Sequence, residues 1–199
     1  MLSNMRLFRV WPVCFCLLLV GCMKEDTETV LLPIPAREVV GIPLPEGFDN
    51  HFQVNEGPNP PDIAGLFLAT PMKLDYASDG YYNPRFYDLT FGFSHLYGRN
   101  TTDYGESQGG SVGSAIPAQV IGNGNKFTVY FISNMKDDEE MWSCKTATLI
   151  SGTLESDGIS DFQYANVMIE KKDPFGKIMD AGQYHVFHDD DNFVSVIGE

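Results

Sequence analysis

Basic residues are scarce in this chain. Thirteen Lys and Arg stand against 27 Asp and Glu in 199 residues, a formal charge of −14. The bases are scattered, so the chain repels phosphate backbones and offers no basic patch to a nucleic acid. Long apolar runs are also missing. The best, residues 11–20, is broken by Pro12 and falls short of the roughly 20 residues a membrane-spanning helix needs. No stretch sustains a 3.6-residue apolar stripe, which argues against a helical fold. No phosphate loop or dinucleotide fingerprint occurs, so nothing in the sequence implies a nucleotide cofactor.

What the N-terminus does carry is an address. Residues 1–10 hold Arg6 and Arg9 and no acid, and an apolar run follows, the pattern of a secretory signal. The run ends in Leu19-Val20-Gly21-Cys22, which resembles the lipobox of bacterial lipoproteins. That resemblance implies removal of residues 1–21 and attachment of acyl chains to Cys22. Each buried methylene would contribute about 0.8 kcal/mol of membrane affinity. The following Met23-Lys24-Glu25-Asp26 resembles the surface-export signal of Bacteroidota lipoproteins, with Lys24, Glu25 and Asp26 as its charged residues. The implied location is the outer face of the outer membrane, with the membrane as partner through Cys22.

Cysteine usage fits such processing. Of four cysteines, Cys14 and Cys16 fall in the signal and Cys22 would carry lipid. Only Cys144 is left, with no partner for an internal disulfide, and it reads as a small core residue.

Seven of the 12 prolines lie between Pro33 and Pro61. Proline fixes φ and lacks a donor, so residues 22–59 are expected to form an extended spacer, with the ordered domain at 60–199. Val39, Val40, Ile42, Leu44, Phe48 and Phe52 are out of keeping with a free spacer and point to part of it lying along the domain surface.

Beyond residue 60, short runs rich in Val, Ile, Thr, Tyr and Phe alternate with Gly, Asn, Asp and Ser clusters, the pattern of an all-β domain. Strands are expected at 63–68, 72–76, 85–96, 113–121, 127–133, 142–151, 162–170, 183–188 and 193–197, with a single helical turn at 136–141. Asp79-Gly80, Asn123-Gly124 and Asp157-Gly158 supply turn residues that tolerate positive φ. Eight or nine consecutive strands with short links predict an antiparallel meander closed into a barrel, or alternatively a β-sandwich. Asp62-Ile63-Ala64-Gly65-Leu66-Phe67 resembles the first strand of lipocalin-like barrels. Residues 122–130, 150–152 and 184–191 are similar to Bacteroidota surface lipoproteins, a resemblance that implies an address and a β-rich fold.

Chemistry-bearing patterns are few. His185 and His188 precede three aspartates, but residues three apart on a strand face opposite ways, which argues against a shared metal. Asp189-Asp190-Asp191-Asn192 lacks the spaced ligands of an EF-hand and reads as a hairpin turn. Gly109-x-Ser111-x-Gly113 matches a nucleophile elbow in letters but lacks the strand-to-helix setting. No catalytic residue, metal or cofactor is therefore expected.

The remaining feature is an aromatic cluster, Tyr76, Tyr81, Tyr82 and Tyr87, suited to stacking on a glycan or a small apolar ligand. The sequence thus predicts a non-enzymatic, lipid-anchored binding protein. A surface hydrolase of polysaccharide or peptide and a structural subunit are the alternatives. A closed barrel with a polar-rimmed cavity would favour a small ligand, and a shallow aromatic platform would favour a glycan.

Overall fold

Alternation of inward and outward side chains governs nearly every strand. The computed structural model describes residues 44–83, 86–137, 139 and 141–198. The signal, Cys22, Lys24, Glu25 and Asp26 lie outside these residues. The strands are β1 (Pro58–Asn59), β2 (Gly65–Ala69), β3 (Met72–Ala77), β4 (Leu89–Phe93), β5 (Thr101–Gln108) and β6 (Ser111–Asn123). They continue with β7 (Lys126–Asp137), β8 (Ser143–Leu154), β9 (Gly158–Lys172), β10 (Tyr184–Asp189) and β11 (Phe193–Gly198).

The sheet closes on itself. β2, β4, β5, β6, β7, β8, β9 and β11 follow one another as antiparallel neighbours, and β11 pairs again with β2. This is an eight-stranded antiparallel barrel of the lipocalin-like kind, and the sandwich alternative is set aside by the ring closure. The 15-residue β9 makes the closure possible because it serves two partners. Gly158–Ser160 pair with β11, whereas residues 163–167 pair with β10, which in turn pairs with β3.

One end of the barrel is filled with rings. Phe91 stacks on Phe67 and on Phe162, each at 5.4 Å, and Ile63, Phe127, Val129 and Ile159 complete a buried apolar plug. Toward the other end the interior turns polar, with Glu106, Thr146 and Thr148 buried.

Residues 44–59 are not a spacer. Leu44, Phe48, Phe52 and Val54 pack over Ile121, Tyr130, Leu149, Val167, Tyr184 and Val186 on the outer face of the barrel, forming a second core. Phe48 and Phe52 are fully buried, Phe48 lying 5.3 Å from the Tyr184 ring. Asn55 then donates through Nδ2 to the Phe127 carbonyl, and β1 pairs in parallel with β6. Burial of these side chains outweighs the proline signal, so the ordered domain reaches back at least to Leu44. The expected single turn at 136–141 is also corrected: Lys136 and Asp137 extend β7.

The largest departure from the sequence reading is β5, which falls between the expected strands at 85–96 and 113–121. Its segment Thr-Thr-Asp-Tyr-Gly-Glu-Ser-Gln has one large apolar residue, because Thr102 and Glu106 occupy inward positions on either side of Tyr104. A strand whose inner face is polar carries no hydrophobic alternation to find.

Candidate functional site

The polar interior centres on Glu106. It lies opposite Gly113 of β6, whose missing side chain makes room for it: a Cβ there would stand 2.3 Å from Oε1. Tyr104, from the same strand, donates its hydroxyl to Oε2 at 2.7 Å, and Tyr164 of β9 donates to the same oxygen at 2.8 Å. Oε1 is buried and has no hydrogen-bond partner among the described residues. Burial pushes the Glu106 carboxyl above its ordinary range, an effect the two hydroxyls only partly offset. Both phenols are raised well above theirs, by burial first and then by the neighbouring carboxylate.

The network continues toward the barrel mouth. Asn166 donates from Nδ2 to the Tyr164 oxygen at 3.1 Å and accepts the Thr148 hydroxyl at 2.7 Å, with Thr146 3.0 Å beyond. Tyr164, Asn166 and Thr146 form the floor of a cavity of about 570 Å³. It opens at the end where β5, β7 and β9 finish and β8 and β10 begin. Its walls are apolar and soft: Met72, Phe86, Met135, Trp142, Met168 and Phe187. A largely apolar pocket with a few converging polar groups is the usual form of a small-molecule site.

The rim is polar. The loop between β9 and β10 supplies Ile178, Met179 and Asp180 and is pinned by Lys171, which donates to the Ile178 carbonyl at 2.9 Å and pairs with Asp180 at 2.8 Å. The Asp180 bond raises the Lys171 ammonium above its ordinary range. Across the mouth, His185 Nε2 meets Asp79 Oδ1 at 3.0 Å, and the Tyr81 ring stacks on His185 at 5.7 Å. Burial pushes the Asp79 carboxyl up, but bonds from the Tyr81 amide and from His185 outweigh it and hold it below the usual value.

The four tyrosines singled out in the sequence do not form one surface. Tyr81 lines the cavity. Tyr76 turns outward, stacked on His51 at 3.6 Å beside the second core, because a bulge in β3 opposite Val186 reverses its face. Tyr82 and Tyr87 are 85% and 73% exposed, clear of the cavity lining. His185 and His188 face opposite sides of β10, as strand geometry requires: His185 meets Asp79 at the cavity, His188 meets Asp75 outside.

Cys144 is half-buried on the cavity wall rather than sealed in the core. Burial, with Glu106 adding, pushes its thiol up to about 11, so it is an inert wall residue. The turn read from Asp189-Asp190-Asp191-Asn192 begins at Asp190, whereas Asp189 ends β10 and is buried: Oδ2 accepts the Thr70 amide at 2.5 Å and Oδ1 the Asp191 amide at 3.2 Å. Ser111 follows the Gly109-Gly110 turn at the start of β6, in a hairpin and not an elbow. A second cleft of about 390 Å³ lies outside the barrel beside Gln53 and Asp161. Its polar groups are largely engaged with one another, Gln53 N–H donating to Gln163 Oε1 and His188 held by Asp75.

Fold and cavity together define a small antiparallel barrel with one apolar end and one open, polar-floored end. No family model matches the chain, and neither curated proteins nor solved structures yielded a match.

Proposed function

We propose that this protein is a lipid-anchored binding protein of the bacterial cell surface, and that its barrel mouth holds a small, largely apolar ligand. The single observation that carries the binding reading is the cavity of about 570 Å³, with aromatic and methionine walls above a hydrogen-bonded floor. Methionine and aromatic side chains adapt to an apolar body, and the few polar groups orient it. The anchor reading rests on the lipobox-like Leu19-Val20-Gly21-Cys22 and on Lys24, Glu25 and Asp26. The glycan reading has less support, because Tyr81 stands at the cavity while Tyr82 and Tyr87 point elsewhere.

The test is binding of the neutral apolar dye Nile red to the full chain carrying Cys22→Ala. Saturable fluorescence enhancement that Met168→Trp weakens is the expected result, because the larger ring fills the cavity. Enhancement that is absent, or indifferent to Met168→Trp, refutes the cavity as a binding site.

A further inference from the structure

Resting on the binding reading above, we propose that the ligand is a small organic cation, an amphipathic amine whose ammonium group is received at the cavity floor by Tyr164, with the Glu106 carboxylate directly behind it. Isolated charges are seldom left inside a barrel, because burial without full pairing is costly. Glu106 is only half satisfied: Oε2 accepts two hydroxyls and Oε1 accepts nothing among the described residues.

The tyrosine that links it to the cavity has a fixed polarity. A hydroxyl has one proton and two lone pairs. The Tyr164 proton goes to Glu106 and one lone pair takes Asn166 Nδ2, so what remains for the cavity is an acceptor. At Tyr164 the floor therefore presents an acceptor, beside the second Nδ2 hydrogen of Asn166, and it lies against the Glu106 carboxyl group. Its complement is a ligand group with hydrogens to give and positive charge.

The walls agree with this assignment. Phe86, Trp142 and Phe187 surround the space above the floor, and aromatic faces attract ammonium groups when water is excluded. Of the two lysines in the cavity lining, Lys171 is already paired with Asp180 and Asp173, and Lys177 lies over the Phe175 ring. At long range, the charge of −14 draws cations toward the protein. Glu106 lies directly behind Tyr164, its Oε2 held by that hydroxyl and its Oε1 against Gly113, so its charge acts on an ammonium at the floor through the Tyr164 oxygen.

The experiment uses the full chain carrying Cys22→Ala, loaded with Nile red and titrated at neutral pH with phenethylamine, phenethyl alcohol or phenylpropionate. These differ only in the polar group. The amine is expected to displace dye at a concentration at least about tenfold below that of the alcohol, the advantage of a hydrogen bond to a charged group. Phenylpropionate is expected to be the weakest. Glu106→Gln, with its melting transition checked, should lose the advantage of the amine over the alcohol. Tyr164→Phe, which deletes the acceptor at the floor and leaves Glu106 with Tyr104, should reduce that advantage if Glu106→Gln does not fold. Equal displacement by the three compounds, or an amine advantage that survives in the folded variants, overturns the cation assignment and leaves the cavity reading standing. Failure of the dye to bind at all overturns both.

Discussion

Glu106 and Tyr164 stand 58 positions apart in the chain and meet inside the barrel through a 2.8 Å hydrogen bond, the phenol donating to Oε2. Tyr104 reaches the same oxygen from two residues away. The carboxylate is thus held by one local and one distant donor, and the closure of the barrel is what brings the second.

Tyr104→Phe removes the local donor without changing the ring. The carboxylate then keeps one hydroxyl in a buried site, and the cost is expected to be about 1–3 kcal/mol. Urea denaturation at neutral pH reads this directly. A midpoint equal to that of the parent chain would show that the hydroxyl contributes nothing to holding Glu106.

Stability should fall between mildly acidic and near-neutral pH. Burial pushes the folded-state Asp189 carboxyl up to about 6 from an ordinary 3.8. Between those values the folded chain binds more protons than the unfolded chain, so the contribution is present on the acid side and is lost as pH rises through about 6. Glu106 is raised by burial too and acts in the same direction. Asp189→Asn should flatten this part of the profile in a series of denaturation midpoints, and a slope unchanged by the substitution would count against the account.

The clamp over the outer face should be worth as much as a core layer. Phe48 is 1% exposed and lies against Phe52 and Tyr184, so Phe48→Ala is expected to cost about 3–5 kcal/mol. A chain beginning at residue 60 uncovers Leu149, Val167 and Val186 and should melt well below the parent when followed by circular dichroism. Equal melting temperatures would mean that the clamp is dispensable.

The address is testable apart from the barrel. Cys22→Ala should move the protein from the membrane pellet to the soluble fraction. Alanine at Lys24, Glu25 and Asp26 together should keep it in the pellet and remove its cleavage by protease added to intact cells. Retention in the pellet in the first case, or unchanged cleavage in the second, would refute the corresponding motif.

The barrel was legible in the sequence wherever its lining is apolar. Phe127, Val129 and Phe131 point inward in β7, and that alternation reads directly as a half-buried strand. The same rule hid the site. In β5 the inward positions hold Thr102 and Glu106 beside Tyr104, and a strand that lines a polar interior has the composition of a loop. Only the periodic Thr102, Tyr104, Glu106 and Gln108 hinted at it. Tyr81, marked by the local aromatic clustering, lines the cavity, whereas Tyr76 is turned away by a bulge that only pairing with Val186 reveals. Proline spacing likewise described the backbone of residues 44–59 without saying where Phe48 and Phe52 would find cover.

That strap has a mechanical meaning. A pull transmitted along the chain into Leu44 arrives at Phe48 and Phe52 before it arrives at any strand of the ring. The two rings act as a strain relief: a pull on the chain before Leu44 peels the strap first, and the cavity at the barrel mouth is spared the load.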